Sequence, residues 1–186
     1  MKNRVPAALA RYGKVVIATF VAWFSMNTFA ANAQHSTASF ERLKLLVGNW
    51  EGTTKEGHKQ GISYRLSAGG SVLVETWALG PNRESVTLYS IDGNDLIATH
   101  YCPQGNQPRL QLVDGNDLHR LDFKFRDGTN LHVKGKSHQY SFWMAVDGPD
   151  SFSRAETYVE NDSSASEIAK TEAGDAVSYT RIAPKN

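Results

Sequence analysis

At 186 residues the chain holds enough material for one domain, and its 20 Lys+Arg against 19 Asp+Glu leave no basic surplus from which to build a nucleic-acid face. Four of the basic residues, Lys2, Arg4, Arg11 and Lys14, crowd the N-terminal segment; beyond residue 33 the balance is 16 Lys+Arg against 19 Asp+Glu, a formal net of −3. The only cysteine, Cys102, excludes an intramolecular disulfide scaffold.

Residues 1–33 read as a secretory signal peptide. The basic n-region is followed by an apolar stretch from Val15 to Phe24, within the usual range of about 7–15 residues, and Ala31-Asn32-Ala33 supplies the small-x-small cleavage signal. The stretch is too short to cross a bilayer, which takes roughly 20 apolar residues, and no second one follows. No cysteine follows the cleavage site, so a lipid anchor is not expected. The expectation is a domain over 34–186 that starts near Gln34, is exported to the periplasm or beyond, and has no stable membrane insertion.

Ser39 is a plausible N-cap for a short helix carrying Phe40, Leu43, Leu45 and Leu46, with Gly48 as its stop. Strand character then takes over, from Gly48 to Thr54, Gly61 to Ser67, Ser71 to Ala78, Ser85 to Ile91 and Asp95 to Cys102. It continues from Pro108 to Val113, Leu118 to Phe125, Thr129 to Lys134, His138 to Val146, Ser151 to Glu160 and Ala176 to Ala183. Asp-Gly pairs at 92–93, 114–115, 127–128 and 147–148 predict tight hairpin turns, and Asp-Gly-Asn-Asp-Leu recurs at 92–96 and 114–118. In one strand His119, Leu121, Phe123 and Phe125 alternate with Arg120, Asp122 and Lys124; around His138 to Val146 the two faces are equally mixed. Asn161 to Asp175, rich in serine and charge, predicts a mobile loop. No long periodic helix follows Gly48. The pattern predicts an all-β fold, an antiparallel meander of about eight to ten strands closed into a barrel, which hides its edges.

One stretch concentrates the chemistry: Thr99-His100-Tyr101-Cys102-Pro103-Gln104-Gly105-Asn106-Gln107-Pro108-Arg109-Leu110. If the strand holds to Cys102, Ala98, His100 and Cys102 share one face and Thr99 and Tyr101 the other. Pro103 and Pro108 cannot donate to a ladder and bracket the connection between them.

Three segments resemble an uncharacterised family of exported bacterial lipocalin-like, or calycin-type, barrels. They are Leu46-Val47-Gly48-Asn49-Trp50-Glu51-Gly52, Gly69-Gly70-Ser71-Val72-Leu73-Val74-Glu75-Thr76-Trp77, and Thr99-His100-Tyr101-Cys102 with Gly105-Asn106-Gln107-Pro108-Arg109. The resemblance spans most of the chain from the helix to about residue 160. It implies a leading helix below the barrel and a tryptophan, Trp50, plugging the closed end; it implies little chemistry. The cysteine pairs of many secreted lipocalins are absent from this sequence.

The residues leave several readings open. His100 and Cys102, two apart on one strand face, could ligate zinc or copper, with His119, His132, His138 and Glu75 as further suppliers. His100, His119 or His138 could also serve as the proximal ligand of a haem. A Cys102 nucleophile with His100 or His138 as base is the enzyme reading; Pro103 beside the thiol and the lack of a helix N-terminus weigh against it. Free cysteine is also commonly a buried small hydrophobe. Arg109 can fork onto a carboxylate, a ligand's or that of Glu75. Asn106 and Gln107 are expected to satisfy backbone groups nearby. The aromatic residues Trp77, Tyr89, Tyr101, Phe123, Tyr140, Phe142 and Trp143 serve equally as core or as the lining of an apolar cavity. The reading that gathers most of this is a barrel binding a small apolar molecule, with no cofactor. His100, Tyr101, Arg109 and His138 would fix its polar end, and Cys102, Glu75 and Trp143 would lie beside it. A haem, metal or cysteine-dependent function on the His100–Cys102 face is the alternative, and the 161–175 loop alone suggests a protein-interaction module.

Overall fold

Alternating side chains and short turns leave each strand one neighbour to pair with, the next in the chain. Ten strands do so, all antiparallel, and the last returns to the first to close the wall. The computed structural model describes residues 33–113 and 117–183. Helix α1 runs over 33–44. The strands are β1 (Gly48–Thr53), β2 (Lys59–Ser67), β3 (Val72–Gly80), β4 (Arg83–Asp92), β5 (Asp95–Tyr101), β6 (Gln107–Leu112), β7 (Arg120–Thr129), β8 (Ser137–Val146), β9 (Ser151–Glu160) and β10 (Val177–Ile182). A short helix, α2 (Ala165–Ile168), lies between β9 and β10, opened by a Ser164–Glu167 capping box. The architecture is the closed antiparallel barrel with a short leading helix that the sequence predicts. The expected signal peptide falls on residues 1–33, all but the last of them outside the described residues. Among the described residues no helix is long and apolar enough to cross a membrane.

The end of the barrel where β1 begins is sealed from below. Phe40, Leu43 and Leu46 are buried there against the barrel core. Trp50 is 1% exposed, donates from Nε1 to the Leu46 carbonyl at 2.7 Å and meets Phe152 edge-on at 4.9 Å. Arg181 of β10 stacks on the Trp50 ring at 4.2 Å and donates to the carbonyls of Leu45, Val47 and Pro149. Gly48, at φ +137°, leaves room for that guanidinium, into which a Cβ would run. Above this plug the inward positions close on one another. Tyr89, Phe123 and Phe142 pack as a triplet, Phe123 and Phe142 stacked at 4.6 Å, with Leu73, Leu96, Leu110 and Leu121 fully buried around them. The side chains of the described residues thus fill the lower part of the ten-strand wall.

Several local expectations are corrected. Ser39 is no N-cap: α1 is already helical from residue 33, and Ser39 sits within it, buried with its hydroxyl unpartnered. Of the Asp-Gly pairs, 92–93 makes its turn with Gly93 at φ +62°. Asp147 and Gly148 also fall in a connection, though Gly148 is not in the left-handed region. Asp127 and Gly128 make no turn but run inside β7, opposite Arg109 and Pro108. The glycine is needed there for a close approach, since a Cβ would lie 2.8 Å from Pro108 Cα and 2.9 Å from the Gln107 carbonyl. The chain turns later, from Asn130 at φ +57°, so only Thr129 of the strand expected over 129–134 is extended. The pair at 114–115, with the start of the second pentapeptide, lies outside the described residues. The mixed faces of β8 are explained by a bulge: Gln139 pairs with Tyr158 and Ser141 with Thr157, leaving Tyr140 as the extra residue. Phe142, Met144 and Val146 therefore face the core together.

Candidate functional site

The open end lies opposite α1, where β3, β9 and β10 present polar residues among aromatic ones. Alternation carries Arg154, Glu156 and Tyr158 of β9 to the inner face, and Glu75 with Trp77 on β3 does the same from across the wall. Glu75 is the centre. It is 0% exposed; its Oε1 accepts from Trp77 Nε1 at 2.7 Å, and its Oε2 accepts from Tyr89 Oη at 2.6 Å and from Arg154 Nη1 at 2.7 Å. Arg154 is 2% exposed. Its Nη1 also reaches Tyr89 Oη at 3.2 Å, its Nε donates to Glu156 Oε1 at 2.8 Å, and its Nη2 stands 2.6 Å from the same oxygen but off hydrogen-bonding direction. The guanidinium lies over the Phe142 ring at 4.3 Å and near Trp77 at 5.3 Å. The Tyr64 hydroxyl is buried close enough to feel the charge of Glu75 but makes no well-directed hydrogen bond.

Burial disfavours charge on Glu75, yet Arg154 together with the Tyr89 and Trp77 donors outweighs it and holds the carboxyl below its usual range. Burial and the neighbouring Glu75 push the Tyr64 and Tyr89 hydroxyls well above theirs, so both stay protonated, Tyr89 as a donor to Glu75. The result is a saturated ionic floor. Above it opens a cleft of about 260 Å³, lined by Trp77, Tyr179 and Val177, by Arg154 and Glu156 on the floor, and by Thr54, Glu56, Gln60, Gly174 and Asp175 toward the rim. Trp77 and Tyr179 meet edge-to-face at 6.0 Å, and Tyr179 Oη donates to Gln60 Oε1 at 2.5 Å. Glu156, a fifth exposed, is the floor group that solvent reaches. The connection between β9 and β10 borders the cleft, tied down by the Gly174 N–H to the Glu156 carbonyl at 2.9 Å. A larger depression of about 680 Å³ is lined chiefly by outward-facing residues of β1 to β4, such as Asn49, Ser63 and Thr76, and gathers no buried charge.

The seven candidates from the sequence divide. Glu75 sits at the centre of the floor. His100 joins the same interior, 3% exposed, its Nδ1 3.0 Å from the Thr87 hydroxyl and its ring 6.5 Å from Tyr158. Burial lowers the pKa of His100, with Glu156 and Glu75 pulling the other way. Cys102 is half-buried just past the end of β5, its N–H bonded to the Asn106 carbonyl in the connection. His138 is 7% exposed, held by Asn161 Oδ1 at 2.8 Å and beside Phe125, away from the cleft lining. Tyr101 points outward, 46% exposed. Trp143 is outside too, with Arg120 over its ring at 4.4 Å. Arg109 does not reach Glu75: alternation puts it on the outer wall, where it forks onto Asp127 at 2.5 and 2.6 Å. The internal partner of Glu75 is Arg154, which the sequence reading passed over. Among the described residues no group of three His, Cys, Asp or Glu side chains stands close enough to hold a metal.

The distinctive connection after His100 is largely a staple. Gln104 exchanges hydrogen bonds with Ser137, donating from Nε2 at 3.0 Å and accepting the Ser137 N–H at 3.1 Å, and Asn106 Nδ2 donates to the Ser137 carbonyl at 2.8 Å. Asn130 Nδ2 reaches the Gly105 carbonyl at 3.0 Å. Gln107 does satisfy a nearby backbone group, the Gly105 carbonyl at 3.1 Å; Asn106 satisfies a distant one.

No family model matches the chain, and no curated protein matches it. Among solved structures it is similar to a protein of unknown function from the DUF3598 family of Nostoc punctiforme PCC 73102, with TM-score 0.47 and 13% identity over 75% of this chain and 48% of the other. The chain thus spans about half the length of that protein. It is also similar to Rv2717c from M. tuberculosis, with TM-score 0.48 and 12% identity over 78% of this chain and 98% of the other. These are likenesses of backbone shape and bring no residue roles into the cleft. In architecture the chain is a closed ten-strand antiparallel barrel: a short leading helix, a Gly-x-Trp first strand and a meander closed on itself.

Proposed function

We propose that this is an exported barrel that binds one small, largely apolar molecule at its mouth. The apolar part lies against Trp77, Tyr179 and Val177, and the polar end meets Glu156, Gln60 and the rim. The observation that carries the reading is an aromatic-walled cleft set above a buried ion pair whose carboxylate, Glu75, already accepts from Trp77, Tyr89 and Arg154. Such a floor gives a ligand a fixed polar surface without having to be reorganised. At about 260 Å³ the cleft falls below the roughly 300–1,000 Å³ of sites for drug-sized ligands, which points to a single-ring molecule. Native mass spectrometry of the protein purified from its source tests the reading. The expected result is a chain beginning at Gln34 with a small added mass that denaturation removes. Val177→Phe, which puts a ring into the cleft directly across from Arg154, should abolish that mass, and the melting temperature taken alongside separates a filled cleft from a disturbed floor. An added mass that survives in Val177→Phe would place the ligand elsewhere.

A further inference from the structure

Charge decides what the polar end of the ligand can be. Arg154 is the only cation lining the cleft among the described residues, and its charge is already answered: Nη1 bonds Glu75 and Tyr89, Nε bonds Glu156, and Nη2, buried and without a well-directed bond, lies 2.6 Å from the same Glu156 oxygen. Two carboxylates, Glu75 and Glu156, already answer its single charge. Two more, Glu56 and Asp175, stand on the rim. The hydrogen bond from Thr54 holds Glu56 below the usual carboxylate range, so it is charged. Lys55 stands 3.9 Å from Asp175, but both side chains are mostly exposed, so the pair screens the rim only weakly. The mouth therefore carries an excess of negative charge between aromatic walls of low dielectric, where field lines concentrate. A ligand carboxylate would have to displace Glu156 from Arg154 to find a cationic partner in the lining, and would approach Glu56 and Asp175 besides. An ammonium would meet Glu156, Glu56 and Asp175 with nothing broken.

Building on the small-molecule reading, we infer that the ligand is a small organic cation, an amine attached to one ring or a short apolar body, with its ammonium between Glu156 and the rim carboxylates. Three isosteric probes test this: benzylamine, benzyl alcohol and benzoate, titrated at neutral pH and followed by tryptophan fluorescence and calorimetry. Benzylamine should bind at least tenfold more tightly than benzyl alcohol, with benzoate weakest, and its affinity should fall as salt is raised. Glu156→Gln should remove most of that preference. Because Glu156 also contacts Arg154, the paired rim variant Glu56→Gln/Asp175→Asn is the safeguard: it touches no buried group and should cut the preference severalfold with the fold intact. If benzyl alcohol or benzoate binds as tightly as benzylamine, and Val177→Phe abolishes that binding, the cation inference falls and the mouth remains a binding site. If none of the three binds in a manner that Val177→Phe abolishes, both readings fall.

Discussion

Replacing Arg154 with methionine should be among the most damaging single changes in the barrel, and its cost should depend on pH. Methionine keeps much of the apolar stem but leaves Glu75, 0% exposed, with two donors and no counter-charge. Removing one partner of a buried pair costs about 3–5 kcal/mol, and loss of the guanidinium over Phe142 adds on the order of 1 kcal/mol. Against a total stability of about 5–15 kcal/mol this is a third or more. Glu75→Gln should cost less, about 1–3 kcal/mol, because Arg154 keeps Glu156 and the carboxamide oxygen still accepts. The double variant should lose less than the sum of the two. With Arg154 gone, burial, the largest influence on Glu75, is opposed chiefly by the Tyr89 and Trp77 donors and raises its pKa above the ordinary 4.5. A carboxyl raised on folding favours the native state at low pH and loses that contribution as pH climbs past its unfolded value. The deficit relative to wild type should therefore be largest at neutral pH and shrink toward pH 5. Guanidinium unfolding followed by tryptophan fluorescence at several pH values measures it. A deficit under 1 kcal/mol at neutral pH, or one indifferent to pH, would refute the account of Glu75 as a carboxylate kept charged by Arg154.

Other consequences are more local. Burial holds His100 below its ordinary 6.5, so the unfolded chain takes up that proton first and native stability should decline as pH falls through about 6.5; His100→Gln should flatten this slope, measured by melting temperature against pH. Trp50→Ala should cost about 3–5 kcal/mol in denaturant unfolding and Trp50→Phe only about 1–2, since the smaller ring keeps the contact with Phe152 but not the bond to Leu46. Gly128→Ala should lower the melting temperature by forcing β6 and β7 apart, whereas Gly61→Ala, with open space where its Cβ would go, should be tolerated. Arg109→Ala should leave both the melting temperature and ligand binding unchanged; lost binding would move the site to the outer wall.

The strands were legible because hydrophobic alternation and the spacing of turn residues are local signals, and Ser151–Glu160 is found at its predicted bounds. The Trp50 plug was expected only through the family resemblance that Gly-x-Trp after a helix carries. The site was harder to read. Glu75 and His100 were singled out, but Arg154 and Glu156, two apart on β9, look in sequence like the wet face of an ordinary strand. Only closure of the wall sets them against β3, 79 residues away in the case of Arg154 and Glu75. Arg109 misled for the complementary reason. A proline before it and a carboxylate elsewhere said nothing about which side of the wall it faces, and the bulge on β7, where Arg126 is skipped, pairs it with Asp127. Asp-Gly at 127–128 carries the composition of a turn but answers a packing need.

The seam between β1 and β10 reaches beyond the resting structure. It joins Asn49 to Ile182, and the same last strand supplies Tyr179 to the cleft and Arg181 to the tryptophan plug. A contact between strands far apart in the sequence thus also completes both ends of the barrel. A molecule cut short by a dozen residues would be an open sheet with two unpaired edges, no lock over Trp50 and half a mouth. Folding inherits the same order: however quickly the hairpins form, the wall cannot close until β10 reaches β1. The open sheet is the form in which the chain is most exposed to proteases and to pairing with its own copies.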